Sequence, residues 1–176
     1  MSRDEVRAEL ERLRQGWIHR GAQRPDFARV PEPGEESVWD YPRPPALVPD
    51  TREVVICLSG VEIARSSRAV RVLETASPPT FYLPPEDVQT RFFQRGSGSS
   101  FCEWKGQATY WDAEVEGARH EGLAWSYEKP FAESAQLTGY FSFYPARADC
   151  SVPSGRVRWC RGQRQWFPEL RSSLQR

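Results

Sequence analysis

The chain has 176 residues, with 24 basic and 24 acidic side chains and a formal net charge of zero. That balance gives no electrostatic drive toward nucleic acid or an anionic membrane, and no run approaches the ~20 apolar residues of a membrane helix, so neither partner is expected. The length fits one domain plus an extension, which buries roughly 70% of its unfolded surface without help from a disulfide or a metal.

Ser2 and Glu5 form the S-x-x-E pattern of a capping box. Val6, Leu10, Leu13 and Trp17 follow at helical spacing with charges between them, so residues 3–17 are expected as an amphipathic helix within an N-terminal segment 1–18. Met1 to Arg14 lack the apolar core of a secretion signal, and the expected setting is a reducing, cytoplasmic one. The apolar stripe must dock, either on the protein's own domain or on a second subunit; residues 3–45 are the candidate homodimer contact. Residues 19–50 hold seven of the fifteen prolines and read as an extended arm, because proline fixes φ and removes a backbone donor. Its large aromatics, Trp39 and Tyr41, suggest that it lies along a surface.

Regular structure is expected from about residue 51 to 150. Val54–Leu58, a turn at Ser59-Gly60 and Val61–Arg65 read as a hairpin, and Ala69–Glu74 as a half-buried strand. Pro84-Pro85-Glu86-Asp87 suits the first turn of a helix with Val88, Phe92 and Phe93 on its apolar face. Gly96–Ser100 reads as a flexible loop; its glycines make a weak phosphate cradle, without the Lys-Ser/Thr of a P-loop. Gln107–Glu116 is the clearest strand, with Thr109, Trp111, Ala113 and Val115 on one face and Tyr110, Asp112, Glu114 and Glu116 on the other. Trp125 and Tyr127 share a face. Phe131–Thr138 reads as a short helix, Tyr140–Tyr144 as an aromatic strand, and Arg156–Cys160 as a last edge strand before an Arg-rich tail within 151–176. Short strands at close spacing argue for a mainly β, antiparallel domain.

Fifteen of the 22 aromatic residues lie between Phe81 and Tyr144. Most must be core, since each buries ~150–250 Å². Tyr82, Trp104, Trp125, Tyr127 and Tyr144 carry polar handles and polar neighbours, and are the candidate walls of a pocket. In Phe101-Cys102-Glu103-Trp104-Lys105-Gly106, an extended backbone would put Glu103 and Lys105 on one face and Trp104 on the other. The Glu103–Lys105 pair is either a surface ion pair worth ~0–1 kcal/mol or a pocket rim at which Lys105 anchors a carboxylate or phosphate. Cys102 shares the Trp104 face; it is a buried thiol or, beside a cation, a reactive one. Glu74 is a ligand-orienting acceptor, a base, or a turn cap. His120, in a polar turn, reads as exposed, and Cys57 as a small core residue. Asp112 with Glu114 would hold a divalent metal only with a third ligand.

Glu36-Ser37-Val38-Trp39-Asp40-Tyr41-Pro42-Arg43-Pro44-Pro45, Arg71–Thr75 with Pro78–Pro84, the Phe101–Gly106 block, Ala124–Tyr127 and Gly139–Pro145 occur in this order. Over about residues 36–150 the chain resembles domain-of-unknown-function family 427, sometimes labelled nucleotidyltransferase-like. After Val152 it departs from the Gly- and aromatic-rich tail of that family. The resemblance implies a β-tent-like fold, two splayed antiparallel sheets with a pocket between them, here with short helices and the N-terminal amphipathic helix. Relatives of that fold often hold zinc through paired C-x-x-C knuckles. The cysteines at 57, 102, 150 and 160 lack that spacing, so no zinc is expected. The leading expectation is a small ligand in an aromatic-lined cleft formed by Tyr82, Glu103, Trp104, Lys105, Trp125, Tyr127 and Glu74. The alternatives are a metal-dependent nucleotidyltransferase-like enzyme using Asp112, Glu114 and Lys105, and an interaction or oligomerisation module.

Overall fold

The structure, a computed structural model, describes residues 3–151 and 158–159. Helix α1 (Arg3–Gln15) carries Asp4 and Glu5 in its first turn and Arg12 and Arg14 in its last, the arrangement that complements the helix dipole. Ser2 of the expected capping box lies outside the described residues, and so does most of the 151–176 tail. The helix stops short of Trp17. Its apolar stripe is not its docking face, since Val6 remains 49% and Leu13 40% exposed. The anchor is polar: Arg14 Nε donates to the Glu103 carbonyl (2.8 Å), and its guanidinium lies 4.9 Å from the centre of the Trp104 ring.

The proline-rich arm lies on the domain. Tyr41 is buried; Thr75 Oγ1 donates to its carbonyl, and Ala76 N to that of Val38 (3.0 Å). The last five residues assigned to the arm are strand β1 (Ala46–Asp50). Pro49 is tolerated there because β1 is an edge strand among the described residues, where a missing ladder donor costs least.

The chain continues through β2 (Val54–Leu58), β3 (Val61–Ser66), β4 (Ala69–Leu73), β5 (Thr80–Tyr82), β6 (Phe93–Cys102), β7 (Gly106–Val115), β8 (Ala118–Ser126), β9 (Phe141–Phe143), β10 (Asp149–Ser151) and β11 (Arg158–Trp159). The protein is mainly β and antiparallel, as expected. Its strands are distributed over three sheets among the described residues, rather than two: β1-β4-β5, β11-β10-β2-β3 and β6-β7-β8-β9. The reason is local. The two-residue turn at Ser59-Gly60, with φ of 53° and 82°, closes β2 on β3, whereas β4 turns away to pair with β1.

The β6–β9 sheet contributes to both cores. Ile56, Ile63 and Leu83 meet Ala113, Leu123 and Phe141 in one cluster. Val70, Val72 and Tyr82 meet Ala108, Tyr127 and Leu137 in the other.

Several local expectations are corrected. The helix expected from Pro84 is two separate 3-10 turns, Pro85–Asp87 and Thr90–Phe92. Between them Val88 is pulled into a bridge with Ala64, and Gln89 N donates to Ile63 O (2.9 Å), so a tertiary pairing outcompetes the helix. Phe131–Thr138 is likewise a kinked 3-10 segment, Ala132–Leu137. Gly96–Ser100 is part of strand β6, not a free loop. Its glycines clear room for side chains of β7: a Cβ would sit 2.8 Å from Asp112 Oδ1 at Gly96 and 2.7 Å from Tyr110 Cδ2 at Gly98. His120 is half-buried in β8 opposite Ala113, and Cys57 is half-buried beside a register shift in β2.

Candidate functional site

The site is built around the β6–β7 turn. Cys102 pairs with Gly106, leaving Glu103-Trp104-Lys105 as the loop, and Gly106 takes a φ of 96° that favours glycine. A turn, not an extended strand, therefore sets where these side chains go. Glu103 faces outward, where its carboxylate accepts from Trp17 Nε1 (2.6 Å). Trp104 is buried under Arg14, and its carbonyl accepts from Ser134 Oγ (3.2 Å). Lys105 turns inward and its carbonyl accepts from Phe131 N (3.2 Å). The expected Glu103–Lys105 pair does not form; the lysine pairs with Glu74.

Lys105 opens into a cavity of about 250 Å³ enclosed by the β1-β4-β5 sheet and the β6–β9 sheet. Six residues expected at a pocket line it: Glu74, Tyr82, Lys105, Trp125, Tyr127 and Tyr144. Glu103 and Trp104 do not. Cys102, Tyr110, Pro78, Thr80 and Ser100 also line it.

Arg43, carried in the Glu36–Pro45 block without a role of its own, supplies a second cation. Its Nη2 donates to Glu74 Oε1 (3.0 Å) and to the Thr75 carbonyl (2.8 Å). Lys105 Nζ donates to the other oxygen, Glu74 Oε2 (3.3 Å). Arg43, Lys105 and Glu74 side chains are only 2%, 8% and 17% exposed. Two buried cations thus share one carboxylate, a surplus of one positive charge. Removing such a charge from water costs several kcal/mol unless something compensates it. An ammonium has three donors; Glu74 engages one, leaving two for the cavity. Burial alone pushes the Lys105 ammonium down, but Cys102, Glu74 and Tyr82 beside it outweigh burial and hold it above its ordinary value.

The aromatic wall is internally bonded. Trp125 Nε1 donates to Tyr82 Oη (3.0 Å), the two rings meet edge to face at 6.1 Å, and Trp125 lies 4.4 Å from Tyr144. Burial pushes the Tyr82 phenol up to about 12. Tyr127 is pushed well up by burial and by the neighbouring Tyr82 and Cys102. On the far side of Trp125 and Tyr144 lies a second cavity of about 240 Å³, bounded by apolar groups such as Ile56, Phe81, Leu83 and Phe143.

Asp112 is occupied elsewhere. Its Oδ2 accepts from Arg119 Nη2 (2.7 Å) and its Oδ1 from Gly122 N (2.8 Å), which hold the β7–β8 register shift. Glu114 is exposed, and the two do not form a metal-holding carboxylate pair. Among the described residues no group of three or more His, Cys, Asp and Glu side chains is placed to hold a metal.

Two residues of the site escaped the sequence. Arg43 sits in an arm that carries no periodicity, and Tyr110 lies on the strand face that alternation assigned to solvent. No helix among the described residues is long and apolar enough to cross a membrane. No curated protein matches the chain. Residues 46–154, the span holding both sheets that enclose the cavity, match the model of the domain of unknown function DUF427, and the chain belongs to that family.

Proposed function

We propose that the protein binds a small anionic ligand carrying a planar ring in the cavity between the two sheets. The observation that carries this reading is the buried Arg43–Glu74–Lys105 cluster, whose surplus positive charge borders an aromatic-walled space. A carboxylate or phosphate on the ligand would take up the remaining Lys105 donors, and the ring would lie against Trp125, Tyr127 and Tyr144. The volume limits the guest: about 250 Å³ corresponds to roughly eight waters at ~30 Å³ each, below the ~300–1,000 Å³ of drug-sized sites. A single-ring acid fits that volume better than a whole nucleotide.

The test is a thermal-shift and native mass-spectrometry screen of aromatic carboxylates, inorganic phosphate and nucleoside monophosphates. The reading expects stabilisation by single-ring acids, lost in Lys105→Met. No shift with any anion, and no copurifying mass, would overturn it.

A second reading is favoured by the exposure of Val6 and Leu13 on α1 and of Trp17 just beyond it: this apolar stripe pairs with a second copy of the chain. Light scattering on wild type and Val6→Glu/Leu13→Glu tests it. A monomeric wild type would remove it.

A further inference from the structure

We propose that the second cavity, beyond Trp125 and Tyr144, is the chain-binding half of the same site, and that the ligand class is a single-ring acid bearing an apolar chain of about six to eight carbons. This rests on the anion-binding reading above and adds the part of the ligand that the first cavity does not hold.

The two cavities are neighbours of opposite chemistry. Pro78, Thr80, Trp125 and Tyr144 border both. All four are half-buried, whereas Val54, Ile56, Leu83 and Phe143 around the second cavity are buried. The first cavity holds the Lys105–Glu74 pair; no Asp, Glu, Lys, Arg or His lines the second. Trp125 divides them. Its one polar side-chain atom serves the first cavity, because Nε1 donates to Tyr82 Oη (3.0 Å) and Tyr82 lines that cavity and not the second. At the shared border Pro78 has no N–H to offer, and Thr80 Oγ1 donates to the Pro78 carbonyl (3.4 Å). An apolar chain crossing there strands no hydroxyl. A ring lying against Trp125 and Tyr144 is already at the partition, so a substituent on it has only that border to pass.

The size of the second cavity sets the length of the chain. Protein interiors hold few voids larger than a water molecule, yet about 240 Å³ is roughly eight waters at ~30 Å³ each. Apolar cavities stay dry, and one of ~150 Å³ takes up benzene, so this one has room for about six to eight carbons. A void of that size also weakens a core, since its walls forfeit their contacts. An apolar chain restores those contacts, while Lys105 draws the acid group to the other side of Trp125.

A chain-length series tests this on the full chain: benzoate and its 4-ethyl, 4-butyl, 4-hexyl, 4-octyl and 4-decyl derivatives, each below its aggregation concentration, with affinities from calorimetry. Binding should tighten about three- to fourfold for each added methylene and level off at about six to eight carbons. Lys105→Met should weaken every acid about tenfold or more and leave the dependence on chain length in place. Ile56→Phe, which fills the second cavity, should cut the octyl-to-benzoate affinity ratio at least about tenfold. Cys150→Leu fills the same space from another strand and keeps the test standing if the first variant does not fold. A flat series would overturn the proposal, as would a ratio unmoved by both filling variants, or octylbenzene binding as tightly as 4-octylbenzoate. If benzoate binds and the series is flat, the anion reading stands and only the chain site falls; if no member binds, both fall.

Discussion

Arg14 Nε donates to the backbone carbonyl of Glu103, so the N-terminal helix holds the outside of the turn whose inner side presents Lys105. The helix is therefore part of the support for the cavity. A guanidinium–carbonyl hydrogen bond contributes about 1.5–3 kcal/mol, and the cation–π contact with Trp104 adds about 0.5–1 kcal/mol. Arg14→Ala is expected to lower stability by roughly 2 kcal/mol in urea unfolding at unchanged m-value, and to weaken any anion that binds.

The charge arrangement predicts an asymmetry between two substitutions. Glu74→Gln strands Arg43 and Lys105 as buried cations and should cost about 3–5 kcal/mol. Lys105→Met removes the surplus charge and leaves the Arg43–Glu74 pair, so its expected cost is below about 1 kcal/mol. Chemical denaturation of the two variants side by side checks the ordering; equal losses would contradict the charge count.

Alkaline stability follows from Tyr82 and Lys105. Both groups have their folded pKa raised, so the stability each contributes is complete below its unfolded pKa and is lost as pH rises through the folded one. For Tyr82 the window runs from about 10 to about 12. A shift of that size corresponds to roughly 2–3 kcal/mol. Stability measured from pH 9 to 12 should fall through this window, and Tyr82→Phe should flatten part of the slope.

Trp104 separates core from wall. It is 6% exposed and lies outside the cavity. Trp104→Ala should cost about 3–5 kcal/mol. Gly98→Ala, whose new Cβ would meet the Tyr110 ring at 2.7 Å, should cost about 1–3 kcal/mol and displace a cavity residue. Thermal unfolding reads both, and a neutral Gly98→Ala would show that the β6–β7 approach is looser than described.

Much of this arrangement was legible in the sequence where periodicity carried it. β-Branched alternation marked β2, β3, β4 and β7, and the Ser59-Gly60 pair marked its turn. Aromatics with polar handles pointed to Tyr82, Trp125 and Tyr127, which the fold brings to one cavity with Glu74 and Lys105. What failed were positions decided by a partner distant in sequence. A two-residue period cannot see that 103–105 is a turn, so it placed Glu103 beside Lys105. The helix expected after Pro84 loses to a bridge with Ala64 that no local signal encodes, and two 3-10 turns remain. Arg43 is one arginine among 22, and only the clamp of the arm on Thr75 gives it meaning.

That clamp separates the family domain from the working unit. The family match begins at residue 46, three positions after Arg43. A fragment trimmed to 46–154 would keep both sheets around the cavity, and Glu74 and Lys105 would then neutralise each other. Such a fragment would be the right shape with the wrong charge. The Arg43–Glu74–Lys105 cluster is completed from a segment N-terminal to the matched span, so the domain cut at residue 46 would share the architecture without sharing the charge.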